Sequence, residues 1–272
     1  LESKLFTKIS VNSSKLKNIY PNGSLLFKKD KNTFKAKFDY KNNKITIKQA
    51  NIRNNFFNGK VDGVIKFLPY FDFDLNINLD DLNFNKFYTF IDNLSDANKT
   101  NLFKTNEKVN GKLNISADKI FSKNTLINSL ESRLKFFNGD IFIEQLLLNI
   151  RKLGAADISG TIKNEKNFTN FIFDSNIFVD NLKRFHNKFG VFNKEKKPYS
   201  LFISGKLNLT NLNLTLNEIS DDNKFNGDDV TYFEKEFNNL VLDDGYSGLL
   251  SFKNLKNFIK SVSVETNWVN LV

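Results

Sequence analysis

The segment FDFDLNINLDDL, Phe71 to Leu82, decides how the rest of the chain is read. Phe71, Phe73, Leu75, Ile77 and Leu79 fall on one parity, and Asp72, Asp74, Asn76 and Asn78 on the other. Side chains alternate across a strand, so this pattern predicts a β-strand with one apolar and one wet face. A near copy, FIFDSNIFVDNL, runs from Phe171 to Leu182. Its Phe171, Phe173, Ile177 and Val179 share the apolar parity, while Phe178 lies on the other and is expected to pack under a helix.

The same alternation extends outward. KLNISAD (Lys112 to Asp118) and KLNLT (Lys206 to Thr210) begin alike. KFDYKNNKITIKQANI (Lys37 to Ile52) reads as two strands about a KNNK turn. LKFFNGDIFIEQLLL (Leu134 to Leu148) reads as a hairpin about Asn138-Gly139, because both residues tolerate positive φ. Parity slips in GKLNLTNLNLTLNEI: Leu207 and Leu209 are odd, whereas Leu212, Leu214 and Leu216 are even. A one-residue slip exchanges the faces, so a bulge near Asn211 or a tight connection is required.

Helices are few. Leu79 to Leu94 predicts one with Asp80 or Asp81 as N-cap, and Val179 to Phe192 another with Asp180 as cap and Gly190 as stop. Phe252 to Val262 is a third helix or a strand end. His186, the single histidine, falls on the polar side of its predicted helix and is read as a surface residue.

The order of elements also recurs. ITIKQANI (Ile45 to Ile52) is answered by IFIEQLLLNI (Ile141 to Ile150), and VDGVIK (Val61 to Lys66) by ISGTIK (Ile158 to Lys163). Each set leads into the strand-then-helix segment that opened this reading. The unit is a β-block of about 95–100 residues. The blocks fall at residues 1–105 (partial), 106–200 and 201–272 (partial). No Gly/Ser-rich linker divides them, so the expected fold is mainly β: one long, curved antiparallel sheet forming an open groove, with a few short α-helices.

Composition narrows the function. The chain has 272 residues, 40% hydrophobic and 26% charged, which is a globular balance long enough to bury a core. It has no Cys and one His, which removes thiolate metal sites, paired-His metal sites and a disulfide framework. No Gly-rich phosphate loop occurs. DDNKFNGDD (Asp221 to Asp229) resembles a calcium loop, but Phe225 or Lys224 falls where an oxygen ligand belongs, according to the starting residue. Nothing supports an enzyme, a metal or a cofactor. The net charge of +10 raises anionic partners. The Lys residues are dispersed, however, and Phe sits on the apolar parity rather than among exposed Lys and Arg, which argues against nucleic acid. The chain opens LESKLFTK without Met and is read as an internal fragment of a longer protein.

Taken together, NGKLNISADKIF (Asn110 to Phe121), SGKLNLTNLNL (Ser204 to Leu214), LKFFNGDIFIEQLLL and GAADISGTIKN (Gly154 to Asn164) resemble the AsmA-like family, of the YhdP and TamB type. The resemblance spans about Phe34 to Leu216 and fades over the last 50 or so residues. It implies a Gram-negative envelope protein of the periplasm, anchored in the inner membrane through a segment outside this chain. It further implies an apolar β-groove that passes phospholipid acyl chains between inner and outer membranes, supporting outer-membrane biogenesis. On that reading the groove-lining candidates are Phe71, Phe73, Leu75, Ile77, Leu79, Phe171, Phe173, Ile177, Val179, Leu207, Leu209, Leu212, Leu214 and Leu216. The alternative is a structural or adhesin-like β-repeat protein whose apolar faces are shut inside sandwiches. A second sheet over the apolar face would decide for it.

Overall fold

The computed structural model describes residues 3–13, 19–95, 97–98, 101–122, 126–165, 168–221, 227–242, 248 and 251–265. Fourteen strands form one sheet that does not close into a barrel. In chain order they are β1 (Ser3–Ser13), β2 (Ile19–Lys29), β3 (Asn32–Lys41), β4 (Lys44–Arg53), β5 (Phe57–Lys66), β6 (Asp72–Asn83) and β7 (Asn110–Ala117). Then follow β8 (Ile120–Phe121), β9 (Ile127–Phe137), β10 (Asp140–Ile150), β11 (Gly154–Asn164), β12 (Thr169–Val179), β13 (Tyr199–Asn208) and β14 (Leu214–Ser220). Spatial order follows chain order, except that the short β8 pairs with β6 beside β7. Four helices occur among the described residues: α1 (Phe84–Asp92), α2 (Leu182–Phe189), α3 (Gly227–Leu242) and α4 (Phe252–Glu265).

Turn chemistry builds the hairpins as expected. Asn42 and Asn43 take φ of 51° and 59°, and Asn138 and Gly139 take 52° and 85°. These left-handed pairs match the twist of the strands they join.

The sheet is mixed rather than antiparallel throughout, because β6 runs parallel to β7 and β8. Connection length is the reason. After α1, residues 93–109 carry the chain back along the strand, so Asn110 pairs with Asp72 at the start of β6. After α2, only residues 190–198 intervene, so Tyr199 pairs with Val179 where β12 ended, and β12–β13 is antiparallel. A parallel pair needs a crossover of about a dozen residues or more.

Both helix starts lie later than expected. β6 continues through Asp80, Asp81 and Leu82, and Asn83 is the cap of α1, its side chain accepting from the Lys86 amide. Asn181, not Asp180, caps α2, while Gly190 at φ 78° ends it as expected. The Phe252 segment is helical, and α3 was not foreseen at all. The predicted polar loop Asp221 to Asp229 lies mostly outside the described residues. Among the described residues no group of acids and histidine could hold a metal.

The closed core sits at the C-terminal end. Val179, Leu182, Phe185, Phe189 and Ile259 form one cluster, and Leu201, Ile219, Phe233 and Val262 another. There α2, α3 and α4 pack against the apolar face of β12–β14. α3 also caps the outer edge of β14. Asn238 accepts from the Leu214 amide at 2.9 Å, and Glu234 accepts from the Leu216 amide. An otherwise unpaired strand edge is thereby satisfied and blocked.

His186 belongs to this core, not to the surface: it is 0% exposed. Its Nδ1 lies 3.0 Å from Asn193 Nδ2, and its ring packs edge-on against Phe185. The α2 stripe explains the error, since Leu182, Phe185, His186 and Phe189 all bury on one helix face. Burial disfavours the imidazolium and lowers its pKa from 6.5 to about 4.

A local backbone irregularity of the kind that bends sheets recurs in two strand pairs. Register shifts by one residue after Ile47 in the β4–β5 pair and after Ile143 in the β10–β11 pair. Opposite those two residues stand Gly63 and Gly160, at φ 138° and 157°. A Cβ on Gly63 would lie 2.1 Å from the Asp74 carbonyl oxygen, and one on Gly160 would lie 2.2 Å from that of Ile172. Bulge and glycine together bend and coil a sheet. Both blocks place this device at the same point.

Two predictions follow from this geometry. Gly160→Val should cost about 3 kcal/mol in urea unfolding, whereas Ser159→Val on the opposite face should stay within about 0.5 kcal/mol. For His186, the unfolded chain binds a proton between pH 6.5 and about 4 while the folded chain does not. Stability should therefore fall as pH drops through that window, by up to about 3 kcal/mol, and this contribution should level off below it. Thermal unfolding of His186→Gln should show a correspondingly shallower acid dependence.

Candidate functional site

The site is one whole face of the sheet, assembled by cross-strand register. A single row of directly paired residues runs Ile9, Gly23, Phe38, Ile47, Gly63, Leu75, Leu113, Leu134, Ile143, Gly160, Phe173, Gly205, Leu216, crossing thirteen strands without a polar side chain. The row beneath it runs Ile45, Ile65, Phe73, Gly111, Phe136, Ile141, Ile162, Phe171, Leu207, Leu214. Above it, Leu25, Ala36, Ala50, Val61, Ile77 and Ile115 continue to Leu146, Ile158, Ile203 and Ile219, with Ser132 and Ser175 as the two hydroxyls. A fourth row joins Phe27, Phe34, Ile52, Gly59, Leu79, Ala117, Leu130, Leu148, Ala156, Ile177 and Leu201.

The bulges keep these rows apolar. In ITIKQANI the apolar residues are Ile45 and Ile47, then Ala50 and Ile52; in IFIEQLLL they are Ile141 and Ile143, then Leu146 and Leu148. Both sets slip parity where the register shifts, so these residues stay on the apolar face; Leu147, between Glu131 and Asp157, is the one leucine of the run on the polar side. A third shift, at Asp80, lets Leu82 rejoin the apolar face after Leu79.

Burial separates two regions of this face. Under the C-terminal helices Ile219 is 1% exposed and Leu201 2%. Away from them the large side chains Phe73, Leu75, Ile77, Leu113, Leu134, Phe136, Ile143, Leu146 and Leu148 are only half-buried. They are shielded mainly by one another: Phe73 stands 5.5 Å from Phe136, and Phe171 stacks at 5.3 Å on Phe173. All described strands belong to one sheet, so among the described residues no second sheet lies over this face. At β1 the rows reach a free edge, where Leu5 is 61% and Ile9 63% exposed.

The opposite face is polar and hydrogen-bonded across strands. Asn114 donates to Asn76, and Asn76 donates to Asp62, both at 2.9 Å. Arg133 donates to Gln145 at 2.7 Å, and Gln145 to Asp157 at 3.1 Å. These ladders hold register from behind while leaving the apolar face free of charge.

Most candidates meet on the apolar face: Phe73, Leu75, Ile77, Leu79, Phe171, Phe173, Ile177, Leu207, Leu214 and Leu216. Four are placed otherwise. Phe71 precedes β6 and is exposed, in a loop with Phe67, Leu68 and Tyr70, which are exposed too. Val179 keeps the apolar parity of β12 but is sealed under α2 rather than left open. Leu209 and Leu212 belong to the tight β13–β14 connection, closed by the Leu212 amide donating to the Asn208 carbonyl; Leu209 packs on Ile141 and Ile162. That connection, rather than a bulge, accounts for the parity slip there. Phe178 is 48% exposed on the polar face, not under a helix. The strands β2–β5 and β9–β11 supply as much of the face as the named ones, and the signal for them was the paired parity slip. No family model, no curated protein and no solved structure matches the chain.

Proposed function

We propose that the chain is a stretch of a lipid-carrying β-groove of the AsmA-like kind, moving phospholipid along its apolar face without chemistry on the lipid. The observation that carries this is the four-row apolar strip, continuous over the strands before β12, whose large side chains from Phe73 to Leu148 stay mostly half-buried while its alanines, Val61, Ile141 and Ile162 are buried. Acyl chains laid there would leave water at about 0.8 kcal/mol per CH₂, while headgroups stay at the open margin. Exposed apolar surface on this scale marks a site of contact. On the same proposal the chain works in a Gram-negative periplasm, held to the inner membrane by a segment outside it, and serves outer-membrane biogenesis. The closed-core alternative draws its support from β12–β14, where the helices seal the face, from Ile141 and Ile162, buried with Leu209 and Phe103, and from the small buried cluster Ala36, Ala50 and Val61.

The test is native mass spectrometry of the purified protein with lipid extraction. Stoichiometric phospholipid should accompany the wild type and be lost from Phe73→Asp, whose far-ultraviolet spectrum and cooperative melting should persist. Ile219→Asp, by contrast, should lose about 4 kcal/mol, since it buries an unpaired charge. A lipid-free protein whose Phe73→Asp variant unfolds would overturn the proposal.

A further inference from the structure

A fifth row of the apolar face ends beside the helices. Leu82 pairs with Ile120, and Ile127 pairs with Ile150, which pairs with Gly154 and then Val179. Because α1 leaves β6 and α2 leaves β12 at this same end of the strands, the helices stand along one margin of the face. Between α1 and α4 lies an open cavity of about 700 Å³. That volume lies within the range of about 300–1,000 Å³ typical of small-molecule sites.

The lining has two chemistries. Ile120, Leu126 and Ile127 form an apolar floor continuous with the fifth row, and Phe84 of α1 and Phe252 of α4 add aromatic lining. Lys253 and Lys256, both exposed and one turn apart on α4, line the same cavity with the Tyr88 hydroxyl-bearing side chain. Among the described residues neither lysine joins an ion pair. Lys188 adds a further cation nearby, its Nζ 5.6 Å over the Phe252 ring. Among the described residues no carboxylate lines the cavity. An apolar floor that opens onto a cationic rim fits an amphiphile with one negative end: the chain lies over Ile120 and Ile127, and the anion meets the α4 lysines.

We infer that the α1–α4 cavity is a binding site for the anionic end of an acyl amphiphile, a fatty carboxylate or the phosphate of a phospholipid, at the margin of the groove. The inference rests on the lipid-groove reading for its connection to the wider face. It adds what that reading lacks: a fixed position for the polar end and a preference for negative charge.

The experiment compares dodecanoate with dodecanol by calorimetry, and phosphatidylglycerol with phosphatidylcholine vesicles by co-flotation, using the whole chain. Wild type should bind dodecanoate about tenfold more tightly than dodecanol, and the Lys253→Glu/Lys256→Glu variant should lose that difference. Both substitutions are at exposed positions on α4, and circular dichroism checks the fold. Thr89→Trp, which fills the cavity from α1, should weaken dodecanoate without reversing any charge. A loss confined to dodecanoate assigns a free fatty acid; a loss confined to phosphatidylglycerol assigns a phospholipid headgroup; a loss of both assigns their shared anionic chemistry. Equal binding of dodecanoate and dodecanol by wild type, or unchanged anion binding by the double variant, overturns the site. The groove reading is scored separately, through the phospholipid that Phe73→Asp should shed and the lysine variant should keep.

Discussion

Everything in this molecule depends on keeping the apolar residues of thirteen neighbouring strands on one face. The side-chain period of a strand is two, so a slip of one residue would turn a whole strand inside out. The chain prevents this by shifting register where the sequence itself slips, at Lys48–Gln49 and at Glu144–Gln145. The bulges therefore do two things at once. They preserve the face, and with Gly63 and Gly160 opposite them they form the bulge-and-glycine pairing that favours bending of a sheet. Polar ladders on the far side, such as Asp62–Asn76–Asn114, fix the register from behind.

Only one end of the face is closed. At β12–β14 the apolar stripe of α2 and the inner sides of α3 and α4 complete a core with Ile219 and Val262 essentially sealed. The same helices satisfy the outer edge of β14 through Glu234 and Asn238. At β1 the rows run out to the strand edge with Leu5 and Ile9 exposed. Closure thus comes from helices at one side of the sheet, not from a second sheet laid across it. The middle strands keep large apolar side chains half in water, a cost that a ligand on the face would offset.

The two blocks are alike in strand pattern and unlike in connection. β6 and β12 carry matching alternation, and each runs into a short Asn-capped helix. The chain then returns the length of the strand after α1 and turns straight back after α2, making one parallel and one antiparallel neighbour. Alternation reports which residues share a face and says nothing of strand direction. That information lies in the length of the connection, which is visible in the sequence but acquires meaning only once the strand ends are known.

The hairpins, the apolar parity of β6 and β12 and the Gly190 stop were all legible from the amino acids, because each is set within a few residues by alternation or by turn chemistry. Local chemistry also contained the bulges, as paired slips in ITIKQANI and IFIEQLLL, though only partners across the sheet reveal them as bulges. Tertiary structure alone decided the rest. His186 is buried where the segment after α2 folds back on the helix, with Asn193 against its ring, since a polar residue on a short helix reads as exposed until a neighbour covers it. Asp80 and Asp81 suited a helix cap, but pairing of Asp81 with Asn58 at 2.6 Å and burial of Leu82 held them in the strand. Whether an apolar strand face is covered or open is not a property of its own residues. It depends on what the remaining chain places above it: here helices cover β12–β14, Leu209 and Phe103 cover Ile141 and Ile162, and large side chains such as Phe73, Leu75 and Leu113 stay half-exposed.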